Sequence, residues 1–408
     1  MKICMLTRTY PPRIGGPGSI VHRLSKALTD EGFDITVITQ KIGSAPKFEI
    51  DNGVKVYRTY CLSDVNEFTI PNLSVGILAF TKKILENKDN DVFHAHDISV
   101  AGFSGCVAKK FIGKSFLLKY GGDLVFEYLS LKRPKGWHSK RGLEGTLEYK
   151  HGTAYVLHMI QDWYFKNYDL ILPDARYGKE FLIKRGVPEK KIWVLPNGVD
   201  INLFQPEDRE KLKKKLGFKG KMIFTAGRLV EWKGFDVLIK AMKRVLEETD
   251  ATLVIGGIGP QMEELKRLTG RLGLEKRIQF VGSISRNDMP DYIGMCDVFA
   301  IPSYFDTSPN VLLEAMACGK PCVVSDIDGV REVVEGGCAM KARVGEEEDL
   351  AEKITTLLTN EKMRNQISKK ARKKIEREYS WKVTLKNYVT LYETIEGSKD
   401  ERFIGISS

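Results

Sequence analysis

Two carboxylates and two cations stand at spacings that suit a phosphate ester flanked by hydroxyls. Asp306 and Glu314 lie in a stretch that reads strand, loop, helix. The apolar run 298–301 gives way to Pro302, Ser303, Asp306, Ser308 and Pro309, and a helix-forming series from Leu312 to Ala317 stops near Gly319. The helix start falls near Asn310 and Val311, and the open backbone N–H groups of such a start attract anions, phosphates above all. One acid ahead of that start and one about a turn into the helix suit a ligand with hydroxyls on either side of a phosphate, as in a nucleotide sugar. The alternative is an ordinary strand–loop–helix unit with solvated acids. Arg228 and Lys233, in the glycine-bounded loop 227–234, add a guanidinium fork and an ammonium point charge able to converge on one diphosphate. Cations so placed stabilise the charge on a departing nucleoside diphosphate without a metal.

The elements that must hold these groups repeat in two halves. Lys2 to Thr7 reads as a buried parallel strand, followed by a turn-rich loop with Gly15 and Gly16, a helix capped by Ser19, and a strand over 34–39. Strand, glycine loop, helix, strand is a βαβ unit and the start of a doubly wound sheet. The loop lacks the dinucleotide-binding spacing, and no acid closes the second strand, so its glycines serve close backbone approach to a ligand. The strand over 91–97 ends in two histidines and an aspartate, His94-Ala95-His96-Asp97, which puts His96 and Asp97 at a strand carboxyl end, where open α/β sheets bind ligands. Gly122 and Asp123 occupy the equivalent place after the strand 116–120. Residues 125–165 read as a loop and then a helix from about Gly152, and 192–195 as a strand. The turn Pro196–Asp200 closes a first domain at 1–199. A second domain, 200–379, restarts the alternation at Met222 and takes 323–325 as its last strand. A final amphipathic helix, about 380–396, packs back on the first domain.

Composition narrows the class. The 408 residues are 42% hydrophobic, enough for sizeable cores, and the seven cysteines form no CxxC pair. Reduced thiols and a cytoplasmic setting follow. The six histidines show no zinc spacing, and no apolar run approaches a membrane span. The strings Asp89-Asn90-Asp91 and Asp326-Ile327-Asp328 read as structural, so no metal and no other cofactor is expected. The net charge of +11 concentrates partly in Lys109, Lys110, Lys114, Lys119, Lys132, Arg133, Lys135, Lys140 and Arg141, with Phe111, Phe116, Phe126, Tyr128 and Trp137 interleaved. That segment reads as an acceptor-facing surface or a peripheral contact with the anionic inner face of a membrane. No nucleic-acid-reading module is present.

In their order along the chain, the Gly15-Gly16 loop, His94-Ala95-His96, Pro196-Asn197-Gly198-Val199-Asp200, Gly227-Arg228-Leu229 with Lys233-Gly234, Gly257-Ile258-Gly259-Pro260 and the run Glu314–Pro321 resemble the family 4 retaining glycosyltransferases of GT-B fold. The resemblance implies two Rossmann-like domains facing across a cleft. It implies that Arg228 and Lys233 hold the donor diphosphate, with Gly15, Gly16, Asn310 and Val311 beside it. Glu314 takes the place of the second acid of the family's E-x7-E motif, on the donor ribose. Asp306 stands where the first acid is usually Glu, toward the donor sugar, and is shorter by about 1.5 Å, so either the loop moves inward or the sugar is held differently. His96 matches the family's active-site histidine and would contact the donor sugar; Gly122 and Asp123 fall on the acceptor side. His96, Asp306, Arg228 and Lys233 are then the catalytic group. The family mechanism is front-face substitution with retention, in which the departing phosphate deprotonates the acceptor and no enzymic nucleophile acts. The expected activity moves a sugar from a UDP- or GDP-sugar to a hydroxyl of a glycan or lipid-linked acceptor of the cell envelope. The alternatives are a nucleotide-sugar epimerase or a phosphorylase of the same fold, and, from another class, a basic nucleic-acid-binding protein.

Overall fold

A computed structural model describes residues 1–12, 16–60, 70–132 and 142–397. The chain forms two compact α/β units. The first comprises Met1–Leu129, Thr146–Pro196 and the chain from Leu385; the second is chiefly Asn197–Thr384. The helix Trp381–Gly397 therefore begins in the second unit and continues in the first.

In the first unit the strands are β1 (Lys2–Leu6), β2 (Asp34–Gln40), β3 (Phe48–Asp51), β4 (Val54–Thr59), β5 (Val92–Ala95), β6 (Ser115–Tyr120) and β7 (Leu170–Pro173). Their spatial order is β3-β4-β2-β1-β5-β6-β7. All pairings are parallel except that of β3 with β4. The second unit has β8 (Met222–Ala226), β9 (Thr252–Gly256), β10 (Ile278–Gly282), β11 (Val298–Ile301), β12 (Cys322–Ser325) and β13 (Met340–Ala342), in the order β10-β9-β8-β11-β12-β13 and wholly parallel. Central strands such as β5, β8 and β11 are buried along their whole length, as strands with helices on both faces must be.

This order fixes where ligands bind. In each doubly wound sheet the winding reverses beside the first strand, and the crevice lies outside the carboxyl ends of the two strands that flank the reversal. In the first unit those strands are β1 and β5, which end at Leu6 and Ala95; in the second they are β8 and β11, which end at Ala226 and Ile301.

Several local expectations give way. The first helix is Gly16–Asp30, so Ser19 lies inside its first turn and does not cap it. Leu124–Lys132 is a helix, not a loop. Its residues are apolar around much of the circumference, so no stripe betrays it, and the Asp123 carboxylate accepts from the Phe126 N–H at 2.8 Å to start it. Residues 192–195 form no strand; Ile192 makes only an isolated bridge to Ile171. The second sheet does not end at β12, because the three-residue β13 adds an edge too short to show a period. The first sheet likewise gains β3, an antiparallel edge strand with Phe48 and Ile50 exposed.

Candidate active site

The second unit builds its site from three loops at the ends of β8, β9 and β11. The turn after β8 carries Arg228 and then a short 3-10 turn Glu231–Lys233. Two glycines allow the loops to touch. Gly234 has φ +65, and a Cβ there would lie 2.0 Å from the Pro302 carbonyl oxygen. Gly257 has φ +127, and a Cβ would meet the Gly227 carbonyl oxygen at 1.9 Å. No other L-residue fits either place without displacing backbone. Backbone hydrogen bonds join the loops: Tyr304 N–H to the Trp232 carbonyl at 2.8 Å, Leu229 N–H to the Ile258 carbonyl at 2.9 Å, and Gly227 N–H to the Gly256 carbonyl at 3.0 Å.

That stitching brings Lys233 onto Asp306, and the ammonium donates directly to the carboxylate Oδ2. The other carboxylate oxygen accepts from the Thr307 N–H at 3.1 Å. An ammonium has three donors, so the pair leaves Lys233 further capacity toward an anion. Arg228 is exposed, makes no ion pair among the described residues, and lays its guanidinium over the Trp232 ring with 5.1 Å to the centroid. That contact orients the fork without using its N–H groups.

The helix Asn310–Ala317 follows β11 and its loop. Its cap residue is Pro309, whose side chain supplies no hydrogen bond to the first turn. The opening N–H groups of Asn310 and Val311 are therefore available to an anion. The Asn310 side-chain Oδ1 is buried without a partner among the described residues, beside the same opening. Glu314 lies one turn further along, half-buried. Arg228, Lys233, Asp306, Asn310, Val311 and Glu314 thus all belong to the ends of the adjacent strands β8 and β11.

In the first unit, His96 follows β5 and is 4% exposed. Its N–H bonds the Leu6 carbonyl at 2.8 Å, tying β5 to β1 at the sheet reversal. His94 and His96 project from the same face of the strand, and their rings stack at 4.0 Å. Asp97 is a structural neighbour: its carboxylate accepts from the Arg8 N–H at 2.7 Å and from the Ser99 hydroxyl at 2.6 Å. Gly16 is the first residue of the helix that follows β1, and Gly15 lies outside the described residues.

Asp123 has a different job from the acceptor contact expected of it. It is 2% exposed, and its oxygens are taken by the Tyr120 hydroxyl at 2.8 Å, the Gln161 amide at 2.9 Å and the Phe126 N–H. Gly122 precedes it, half-buried. Lys119, grouped by sequence with a basic surface, is buried and paired with Asp174 at 2.6 Å, and it also donates to the Leu195 carbonyl. Burial disfavours its charge, yet the Asp174 carboxylate raises its pKa overall. Phe116, Leu117, Leu118 and Tyr120 around it are strand residues, and that apolar frame was the available signal. Both Asp-x-Asp strings are spent on cations and backbone: Asp91 accepts from the Lys2 N–H at 2.8 Å, and Asp326 from Arg331 at 2.8 Å. Among the described residues no cluster of His, Cys, Asp or Glu is arranged to hold a metal ion.

The histidine pair makes the fold acid-labile. Burial, and then the Lys119 cation, hold His96 down at about 3; burial, His96 and Lys119 hold His94 well below its ordinary range. Unfolded histidines titrate near 6.5, so below that pH the unfolded state binds protons the folded state refuses. The stabilisation is complete above ~6.5 and falls as the pH drops toward 3, by up to about 1.4 kcal/mol per pH unit for each histidine. Thermal denaturation between pH 8 and 4 should therefore show a flatter acid limb in His94→Gln than in the wild type. Asp123→Ala, which leaves the buried Tyr120 hydroxyl and Gln161 amide unpaired, should cost about 3 kcal/mol of stability in denaturant unfolding; an acceptor-binding defect in a fully stable Asp123→Ala protein would contradict the structural role.

Two family models match the chain: glycosyltransferase family 4 over residues 14–203, and glycosyl transferases group 1 over residues 208–374. An uncharacterized glycosyltransferase of Methanocaldococcus jannaschii is 29% identical over 410 residues, covering 96% of this chain and 98% of that protein. The Escherichia coli UDP-Gal:alpha-D-GlcNAc-diphosphoundecaprenol alpha-1,3-galactosyltransferase is 29% identical over 379 residues, covering 89% of this chain and 90% of its own. Among solved structures, sucrose-phosphate synthase from Thermosynechococcus elongatus superposes with TM-score 0.82 at 19% identity, over 98% of this chain and 100% of that one. The Anabaena protein HepE in complex with UDP-glucose gives TM-score 0.77 at 21% identity, over 97% and 100%.

Proposed function

This chain belongs to the group 1 glycosyltransferases of family 4 type, with the GT-B fold, and from that premise we propose that it transfers a sugar, with retention and without a metal, from a UDP- or GDP-sugar to a hydroxyl of a glycan or lipid-linked acceptor. The observation that carries this reading is the convergence of two cations, a carboxylate and an uncapped helix start on the ends of β8 and β11. A UDP-glucose complex in a structural relative supports a nucleotide-sugar donor, and a diphosphoundecaprenol-linked acceptor in a sequence relative supports a lipid-linked one.

The chemistry divides among the residues as follows. Arg228 and Lys233 neutralise the donor diphosphate, and the N–H groups of Asn310 and Val311 donate to its oxygens. Glu314 accepts from the ribose hydroxyls. Asp306, held by Lys233, faces the donor sugar with an acid one carbon shorter than the usual glutamate. His96, kept neutral, offers the sugar a hydrogen bond. The bond from the anomeric carbon to the phosphate oxygen breaks while the acceptor oxygen bonds the same carbon on the same face. The acceptor proton passes to the departing phosphate oxygen, so no side-chain nucleophile is required. The charge developing on that oxygen is met by cations already in place.

An apolar stripe points outward from the helix Gly152–Asn167. Tyr155, Val156 and Met159 are 45%, 52% and 55% exposed, and Trp163 continues the same face with the Lys110 ammonium 5.4 Å from its ring centroid. Lys150 and Lys166 are exposed at either end. Apolar side chains outward with cations around them suit the interface of an anionic bilayer, and we place the peripheral membrane contact here. The basic segment singled out by sequence is redistributed: Phe116 and Phe126 are core residues, Lys109 pairs with Asp169, and 133–141 lies outside the described residues. No helix among the described residues is long and apolar enough to cross a membrane.

Screening transfer over UDP- and GDP-sugars identifies the donor. With that donor, Arg228→Ala and Lys233→Ala should each lower kcat by ~10²–10³, the range for loss of one charge-stabilising donor; wild-type rates in both variants would overturn the assignment. Flotation should carry the wild type with vesicles containing anionic phosphatidylglycerol and not with neutral phosphatidylcholine at low salt. Met159→Glu should abolish the flotation while nucleotide binding persists.

A further inference from the structure

We propose that Tyr392, on the helix Trp381–Gly397, is a positioning residue for His96 and acts through the imidazole of His94. The inference rests on the reading of His96 as a donor-sugar contact and adds to it a residue far along the chain. The Tyr392 hydroxyl shares a hydrogen bond of 2.7 Å with His94 Nδ1 across 298 residues of sequence, and both side chains are fully buried. The His94 ring then lies on the His96 ring at 4.0 Å with 26° between their planes. The Nε2 atoms of both imidazoles are buried and without partners among the described residues, so the Tyr392 hydroxyl holds His94 by its other nitrogen. A hydrogen bond at one ring nitrogen fixes the tautomer and the plane of an imidazole, and a stacked neighbour must follow that plane. Among the described residues no other side chain is hydrogen-bonded to His94. Tyr388 presents its ring to His94 at 6.1 Å, and the Lys119 cation nearby is committed to Asp174 and to the Leu195 carbonyl.

The helix is built to deliver this one hydroxyl. Tyr388, Leu391, Tyr392 and Ile395 recur at helical spacing and are buried. Phe33 packs beside Tyr392, with ring centroids 6.1 Å apart. Tyr392→Phe keeps the ring in that packing and removes only the hydrogen bond, which separates positioning from support of the fold.

The test uses the full chain. Side-chain 15N NMR of histidine-labelled protein reads the tautomer and environment of His96 without any transfer assay. In Tyr392→Phe the His96 nitrogen resonances should move, and kcat should fall about ten-fold, as for one misdirected hydrogen bond in the transition state. UDP affinity by calorimetry should stay within about two-fold, because the groups assigned to the nucleotide lie on other strands. Combining His94→Gln with Tyr392→Phe should be no worse than the more damaging single change, since both break one path. Unmoved His96 resonances, a kcat unchanged while only the melting temperature drops, or effects of the two changes that multiply would each overturn the relay. Absence of UDP binding and transfer in the wild type would instead defeat the functional reading, and the NMR arm would still report whether Tyr392 orients His96.

Discussion

The ion pair between Lys233 and Asp306 is the contact on which the second unit's site depends. It joins the loop after β8 to the loop after β11, the two strands that flank the reversal of winding. Where the two loops meet, the Gly234 backbone lies closer to Pro302 than a Cβ would permit. A carboxylate held by a partly buried ammonium is fixed in place, and the ammonium is prevented from wandering over its four-carbon stem. Both groups are thereby set before a ligand arrives, which is what catalysis by charge stabilisation requires.

The first unit solves a different problem by related means. There the candidate group is a neutral imidazole, and neutrality is imposed by burial beside the Lys119 cation. Lys119 remains charged in the interior because Asp174 and a backbone carbonyl receive it. The stacked rings at the end of β5 are thus held by an ion pair on one side and by a tyrosine of the terminal helix on the other. Acid lability is the thermodynamic counterpart of that arrangement.

Much of this was legible in the sequence, and the misses share a cause. Strand ends, glycine loops and the cation and acid spacings are local features, so Arg228, Lys233, Asp306 and Glu314 could be singled out as candidates from residue type and position, and the structure brings Lys233 onto Asp306. The strand order, which shows why β8 and β11 matter most, is a long-range property that no local pattern carries. Lys119 and Asp123 were read as surface or ligand-facing groups because a charged residue in a linear string does not reveal its partner; Asp174 lies 55 residues after the lysine, and Gln161 lies 38 after the aspartate. Tyr392 was visible as part of an apolar stripe, but the hydroxyl's destination on His94 was not. Trp232 was passed over as a loop residue although it supports the Arg228 guanidinium.

The central claim is that a donor diphosphate is bound by the ends of β8 and β11. A crystal structure with UDP tests it most directly. The account predicts phosphate oxygens within about 3 Å of the Lys233 ammonium, the Arg228 guanidinium and the Asn310 and Val311 amides, with the ribose on Glu314. A diphosphate bound elsewhere, with Arg228 still flat on Trp232 and no phosphate at the start of helix Asn310–Ala317, would contradict it.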